Sequence, residues 1–505
     1  MPRFKTVNYA QTTLLPISFD RQILPGSFEF TLRHLIDNEL DLSVFDHRYQ
    51  NDATGREAYD PAVLLKIVIL AYSKGITSSR KMEALCRENI LFMAISADTQ
   101  PHFTTLADFV SSNHEPIAQL FQNVLLICGQ AGLIGKEMFA IDGCKLPSNA
   151  SKEWSGTHAD LKKKQAKLER AVDYILTQHK QRDQREVHTG VMEQEQKQIE
   201  TLQRAAQKIQ QFLARNDDKM GARGKAIQSN ITDNDSAKMK TSRGVIQGYN
   251  GVAAVDSKHQ VVLAAEAFGQ AQEHGLLEPM IEQSHQALQA LGVKEENLKQ
   301  TKITADSGYH NDTALRFIDE HELDAYIADT AFRSRDPRFK EASRFDKRPK
   351  SNKFTLQDFR FDLHAKSCVC PAGKPMWLRN ENALIKGHGF IQFQAYEKDC
   401  PACPLRERCV RNESQTTPRQ VNVPKHLLTN APKRRIDLMR EKIDSRVGRH
   451  IYSQRLGVVE PVFGHINTMM GFKRFSLRGK KKVNGQWQLI TMVHNLLKIH
   501  RYGRS

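Results

Sequence analysis

Three acids far apart in the chain, Asp142, Asp306 and Glu460, and five cysteines between residues 368 and 409 are the side chains whose types and settings can do chemistry. Asp142 lies in the apolar run Met138-Phe139-Ala140-Ile141-Asp142-Gly143-Cys144-Lys145-Leu146, read as a buried strand that delivers one carboxylate at a bend marked by Gly143. Asp306 ends a second short strand that starts at Lys302, and Glu460 sits in Arg455-Leu456-Gly457-Val458-Val459-Glu460-Pro461-Val462-Phe463-Gly464. Two divalent cations roughly 4 Å apart activate an attacking oxygen and stabilise a leaving one in phosphoryl transfer. Magnesium takes carboxylate oxygens and retains several waters, so about three acids suffice to hold such a pair. Each acid also has an ordinary reading: Asp142 as a turn residue, Asp306 as a cap, Glu460 as a favourable charge at a helix N-terminus.

The cysteines form Cys368-Val369-Cys370-Pro371-Ala372-Gly373, then Cys400-Pro401-Ala402-Cys403, then Cys409. Five thiols are one more than a tetrahedral structural zinc needs. The preferred set is Cys370, Cys400, Cys403 and Cys409, with Cys368 as the substitute; the alternative is reduced cysteines packing a small loop. Cys86, Cys128 and Cys144 read as core residues.

The elements that must position these groups follow from periodicity and caps. Residues 1 to about 50 are weakly patterned, with a hint of a short helix. Asp60 and Pro61 suit the cap and first position of a helix whose apolar face is Val63, Leu64, Ile67, Val68 and Ala71. Further helices are expected after Ser78-Ser79, after Thr104-Thr105 and around Glu115-Pro116, making an all-α domain over residues 1–134. Its Gly75 to Glu88 portion has the pattern of a helix-turn-helix for DNA, or equally of an ordinary helix pair. Residues 158–219 carry apolar residues at steps of 3 and 4 (Ile199, Leu202, Ala206, Ile209, Leu213), which predicts a protruding helical hairpin. It serves dimerisation or DNA contact, or is only a solvated pair.

Strand character returns at Gly244–Asn250, Val252–Asp256 and Val261–Ala265, followed by a helix closed by Gly292, the Asp306 strand, a helix over Asp312–Glu320 and a strand at Ala325–Ala328. This order predicts a mixed α/β sheet with flanking helices, in two first parts, 135–157 and 220–335. A basic linker and Cys-rich insertion fill 336–430. A basic stretch, 431–505, completes the core; there a helix starting near Val458 would place Glu460 in its first turn and make Pro461 tolerable.

At 505 residues the chain is long enough for several domains. The net charge is +17, with 74 Lys/Arg against 57 Asp/Glu, which points to a polyanionic partner. More than half the excess lies in residues 431–482 (fourteen basic, four acidic) and 331–353 (nine basic, three acidic). The longest apolar run, Pro61 to Tyr72, contains Lys66 and is shorter than the roughly 20 residues needed to span a bilayer. Met-Pro-Arg-Phe-Lys lacks the apolar core of a secretory signal, so a cytoplasmic protein with reduced cysteines is expected.

Taken in order, Ala140-Ile141-Asp142-Gly143, Gly248-Tyr249-Asn250 with Ala253-Ala254-Val255-Asp256, Ala305-Asp306-Ser307-Gly308-Tyr309, and Val459-Glu460-Pro461-Val462-Phe463-Gly464 with Gly471-Phe472-Lys473-Arg474-Phe475 resemble a bacterial insertion-sequence transposase of the DDE class. Within it the chain is most similar to the family of insertion sequence eleven-eighty-two, over about residues 55 to 500. The resemblance implies a ribonuclease-H-like core in which Asp142 ends the first strand, Asp306 the fourth, and Glu460 projects from a later helix. The separations of 164 and 154 residues leave room for the helical hairpin and the Cys-rich module as insertions.

Related transposases carry the third acid in Tyr-x2-Arg-x3-Glu-x6-Lys. Tyr452 and Arg455 match, Glu460 is one position late, and Asn467 stands where the Lys would fall. Lys473, Arg474, Arg478, Lys480, Lys481 and Lys482 are the remaining candidates for DNA contact. The function implied is cleavage and strand transfer at element ends with two Mg²⁺ (or Mn²⁺) ions held by Asp142, Asp306 and Glu460, beside a structural Zn²⁺. Double-stranded DNA is the partner, and a homodimer is expected because two ends must be paired. A DNA-binding relic, or a nuclease that never joins strands, are the alternatives.

Overall fold

The last helix, Lys480–Tyr502, buries residues on every side, from Val483 through Trp487, Ile490, Val493 and Leu496 to Ile499. A helix of that kind has to lie inside other structure. In the computed structural model, which describes residues 16–49, 57–182, 189–221, 224–242, 244–339, 352–362, 365–385, 387–410, 412, 415–429 and 431–503, it does so. Met1 to Lys5 and most of the basic 331–353 stretch lie outside the described residues.

Two units divide the chain. The first comprises Met1–Tyr309, Leu323–Ala325 and Ser453–Ser505; the second comprises His310–Glu322 and Tyr326–Tyr452.

In the first unit, helices Phe28–His34, Pro61–Ser73, Phe103–Ser112 and His114–Gln130 pack on the last helix, and Ser79–Glu88 and Ile90–Ile95 pack on Pro61–Ser73 in turn. Asp60 caps as expected, its Oδ1 accepting the Ala62 N–H at 2.7 Å. The helix expected after Thr104-Thr105 starts earlier, at Phe103, because the His102 ring accepts the Thr104 N–H and takes the capping role. Gly485 lies where a Cβ would stand 2.8 Å from that of His114, so the two helices meet backbone to backbone. Gln486 donates to the buried Tyr72 hydroxyl at 3.0 Å.

The first strands are β1 (Met138–Pro147), β2 (Ser155–Gly156), β3 (Ser229–Asn230), β4 (Ala237–Thr241), β5 (Gly244–Asp256), β6 (Val262–Phe268), β7 (Lys302–Ala305) and β8 (Ala325–Ile327). β2 and β3 pair with each other, and helices His158–Arg182 and Thr189–Arg215 pack together between them in sequence. The main sheet runs β4-β5-β1-β7-β8, with β6 also on β5. β1 is antiparallel to β5 and parallel to β7, so the sheet is mixed.

The last helix covers the β6 edge. Asn495 accepts the Val262 N–H at 2.8 Å and donates to its carbonyl at 2.9 Å, and Asn484 accepts the Ala267 N–H at 2.9 Å. An exposed strand edge is thereby closed by side-chain amides. Trp487 donates to the Val252 carbonyl at 2.8 Å and lies over Gly251, where a Cβ would be 3.0 Å from the ring.

Two expectations change. β1 runs straight through Gly143 with no bend; the space of its missing Cβ is taken by the Asn250 amide, 2.7 Å away, so close approach is what requires glycine here. The helix carrying Glu460 spans Arg446–Gly464, which puts Pro461 in its interior rather than its first turn. Proline cannot donate to the Gly457 carbonyl, and Gln260 does so instead, through Nε2 at 3.1 Å.

The second unit holds a five-stranded antiparallel sheet in the order β13-β12-β11-β10-β9: β9 (Arg360–Asp362), β10 (Ser367–Val369), β11 (Pro375–Ile385), β12 (His388–Ala395) and β13 (Gln420–Pro424). Its core is Phe359, Cys368, Met376, Ile391, Phe393, Ala395, Val421 and Val423. No helix among the described residues is long and apolar enough to cross a membrane.

Behind the last helix, His494 Nε2 bonds the Gln260 carbonyl and its Nδ1 meets His465 Nδ1, both at 3.0 Å. A carbonyl only accepts, so Nε2 carries the proton and a neutral His494 accepts from His465. Burial pushes His494 down to about 3. Below the unfolded value near 6.5 only the unfolded chain takes up this proton, so stability is lost as pH falls, by about 1.4 kcal/mol per unit. The urea midpoint is expected to drop more steeply between pH 6.5 and 4.5 in the parent than in His494→Gln. Parallel slopes would show that His494 does not govern it.

Candidate active site

The register brings two of the three acids together. Ile141 pairs with Ala305 across the parallel β1/β7 contact, so the next residues, Asp142 and Asp306, stand level on neighbouring chains. Asp142 continues within β1, whereas Asp306 follows the last residue of β7, where its carboxylate accepts the Ser307 N–H and its carbonyl the Tyr309 N–H.

Asp142 is tied on both sides. Its Oδ1 accepts the N–H of Gly143 at 2.8 Å, and its Oδ2 pairs with Arg455 Nη1 at 2.8 Å. Arg455 is 5% exposed, so this is an interior ion pair and Arg455 faces the acid. Burial raises the Asp142 pKa above the ordinary carboxylate range; Arg455 and the Gly143 N–H counter that, and Asp306 adds to it.

A third carboxylate in this neighbourhood, Glu273, escaped the reading of the sequence. It lies in the loop between β6 and helix Leu277–Ala290. Its pKa is raised by burial first and then by Asp306 and Asp142, with Lys145 and Arg455 acting the other way. A Cβ on Gly308 would collide with the Glu273 carboxylate, so the glycine of Asp306-Ser307-Gly308-Tyr309 is a space for this acid. That glycine was the available signal. Tyr309 is fully buried, and its hydroxyl is held in the neutral form by burial and by Glu273, Asp142 and Asp306.

Glu460 is exposed on its helix. The neighbours that fix its stretch, Gln260 on Gly457 and His494 on His465, belong to the β5–β6 turn and the last helix. That turn lies beyond the Phe139–Asp256 pair, at the start of β1 and ahead of Asp142. The leading charged neighbours of Asp142 are Arg455 and Asp306. Among the described residues no three His, Cys, Asp or Glu side chains stand ready to hold a metal ion. The oxygen donors of Asp142, Asp306 and Glu273 nevertheless suit a hard divalent cation chemically.

The DNA-contact candidates are distributed. Arg474 bonds the Ser148 carbonyl and the Asn149 side chain, both at 3.2 Å, and Arg478 the Asn149 carbonyl at 2.7 Å, so these two pin the loop after β1. Lys480 pairs with Glu266 at 3.1 Å. Lys473, Lys481 and Lys482 are exposed, and Asn467 is half-buried in the π-helical turn His465–Met469. The Tyr452 ring meets Phe332 edge-on at 5.1 Å.

In the second unit, Cys370, Cys400, Cys403 and Cys409 line one cavity of about 30 Å³. Burial raises the Cys409 thiol, Arg419 opposes that, and the other three thiols add to it. Cys368 points elsewhere, into the apolar core against Met376 at 3.7 Å, where burial pushes it up to about 12.

A family model for the transposase DDE domain matches residues 369–500, and one for a transposase domain, DUF772, matches residues 17–112. Together the two matches indicate a DDE transposase of insertion-sequence type. The first match takes in the four cavity cysteines, Arg455 and Glu460; the second takes in the helices from Phe19 to Ser112. No curated protein and no solved structure matches the chain. Transposases act on DNA, so DNA is supported as a partner of this chain.

Removing one partner of an interior ion pair strands the other charge, at a cost of about 3 kcal/mol or more. Arg455→Ala is expected to lower the unfolding free energy by about that amount, and adding Asp142→Asn should recover part of it. A double variant no more stable than Arg455→Ala would mean that Arg455 acts through packing and not through its charge.

Proposed function

We propose that this transposase cuts and joins DNA strands at the Asp142–Asp306 pair, within a ribonuclease-H-like core. The strand order β6-β5-β1-β7-β8, antiparallel through its first three members and parallel at β1/β7, supports that fold. The observation that carries the reading is the placing of two carboxylates level at a parallel strand pair, Asp142 within β1 and Asp306 just past β7, with a buried guanidinium drawn onto Asp142. Bound magnesium or manganese would supply activation of the attacking oxygen and stabilisation of the leaving one. Asp142 and Asp306 would hold it. Arg455, paired with Asp142, offsets part of the negative charge of these acids.

For the third acid, the transposase motif points to Glu460 and the arrangement around Asp306 points to Glu273. Cleavage of a supercoiled plasmid carrying the DNA that flanks the gene separates them. Asp142→Ala is expected to reduce Mg²⁺-dependent cleavage by at least about a thousandfold while binding of the flanking duplex stays within about twofold; these sizes assume that the ions carry most of the transition-state stabilisation. Loss in Glu460→Gln alone assigns the third acid to the helix, and loss in Glu273→Gln alone assigns it to the β6 loop. Near-normal cleavage by Asp142→Ala would refute the site. Covalently joined donor and target strands separate a transposase from a nuclease that only hydrolyses.

We further propose that Cys370, Cys400, Cys403 and Cys409 hold a structural zinc, for which four convergent thiols are a suitable donor set. Elemental analysis should find about one zinc per chain, lowered by Cys403→Ser and unchanged by Cys368→Ser. Protein purified without chelators and free of zinc would exclude it.

A further inference from the structure

The five-stranded sheet of the second unit has one face turned to the core, and its other face is covered at the Ala383-Phe390-Pro424 row but open toward Trp377. Alternation along β11, β12 and β13 sends Met376, Ile391, Phe393, Ala395, Val421 and Val423 into the core. Cross-strand pairs therefore place Trp377, Gln394 and Gln420 in one row of the opposite face, and Asn380, Gln392 and Asn422 in the next. Trp377 is 40% exposed there, a large aromatic left in water among amides. Tyr396, which continues the same alternation, is 41% exposed, with Lys398 Nζ 5.9 Å from its ring centre.

Arg379 is built into this face. The register slips between Leu378 and Asn380, which makes Arg379 the extra residue of a bulge, and bulges re-aim side chains. Its Nη1 donates to Gln394 Oε1 and to Gln420 Oε1, both at 2.8 Å, and Gln420 in turn donates to Asn422 Oδ1 at 2.9 Å. A guanidinium carries five N–H groups, so this tether fixes its position and leaves further donors available beside the indole. Two exposed rings, an anchored guanidinium and a row of amides on a sheet surface are the parts that bind unpaired bases: rings stack on base faces, while the guanidinium and amides reach base edges or phosphates.

We propose that this open face binds an unpaired DNA strand, with a base stacked on Trp377 and Arg379 beside it. The charge is complementary, since the residues of this unit hold 28 Lys/Arg against 18 Asp/Glu, net +10 of the chain's +17. Duplex DNA is disfavoured as the occupant because its base faces are already stacked on one another. The choice of DNA over RNA rests on the transposase reading; the binding face itself does not depend on where strands are cut.

The test uses the full chain in EDTA, where metal-dependent cleavage cannot occur, so its failure is distinct from failure of the cleavage site. Fluorescence anisotropy is read with a labelled single-stranded 20-mer of DNA, its duplex and the same sequence in RNA. Trp377→Ala and Arg379→Ala should each weaken single-strand DNA binding about tenfold, the size of a lost stacking contact, and leave duplex binding within about twofold. Trp487 is fully buried and Trp154 lies between Lys164 and Lys208, so quenching of tryptophan emission by the oligonucleotide should come from Trp377. It should vanish in Trp377→Phe, which retains a ring and most of the affinity. Unchanged single-strand binding in Trp377→Ala, an equal loss of duplex binding, or tighter binding of the RNA would each overturn the proposal.

Discussion

The contact between Trp487 and β5 is the constraint on which the rest of the first unit depends. Its indole N–H is satisfied by the Val252 carbonyl and its ring occupies the space left by Gly251. Burying a ring of this size is worth about 3–5 kcal/mol by truncation. The same helix closes the β6 edge with Asn484 and Asn495 and carries His494 to the β5–β6 turn. Residues near the two ends of the chain thereby share one core, and Trp487 packs on the face of the sheet to which Asp142 also points, since Asp142 pairs with Ala253 and Cys144 with Gly251.

The acid cluster on that sheet is defined by a conflict. Carboxylates at Asp142, Asp306 and Glu273 repel one another and lose water, which raises the Asp142 and Glu273 pKa values. Arg455 relieves part of the conflict by pairing with Asp142. An arrangement of this kind favours a cation over an anion or a neutral ligand, and that preference follows from charge and burial alone. The second unit follows a different logic: its apolar core sits on one side of a thin sheet, four of its thiols line one cavity, and part of the face opposite the core is polar around the exposed indole of Trp377.

Much of this was legible in the sequence. The helices from Pro61 to Gln130 follow from apolar spacing and from Asp60, and β5, β6 and β7 from runs of Val, Ile and Ala between turn residues. Gly248-Tyr249-Asn250 acquires a physical meaning in the structure: Gly248 admits the Leu146 carbonyl, Tyr249 donates to Asp233 at 2.8 Å, and Asn250 lies over Gly143. The bend at Gly143 was misread because a glycine after an acid looks the same in sequence whether it turns the chain or admits a neighbour. Pro461 was misplaced for a related reason, since the Gln260 amide that makes a mid-helix proline tolerable comes from 201 residues earlier.

By itself the sequence determined the local elements, the excess of positive charge, the thiol cluster and the two strand-borne acids, because each depends on residue type and short-range spacing. Only the tertiary structure decided which groups face one another across the sheet. It set Glu273 beside Asp306, turned Arg455 inward onto Asp142, left Glu460 on an exposed helix surface and aimed Arg379 beside Trp377. Those neighbours are fixed by strand register and by a one-residue bulge, and register is set by the burial of whole faces at once rather than by any short run of residues.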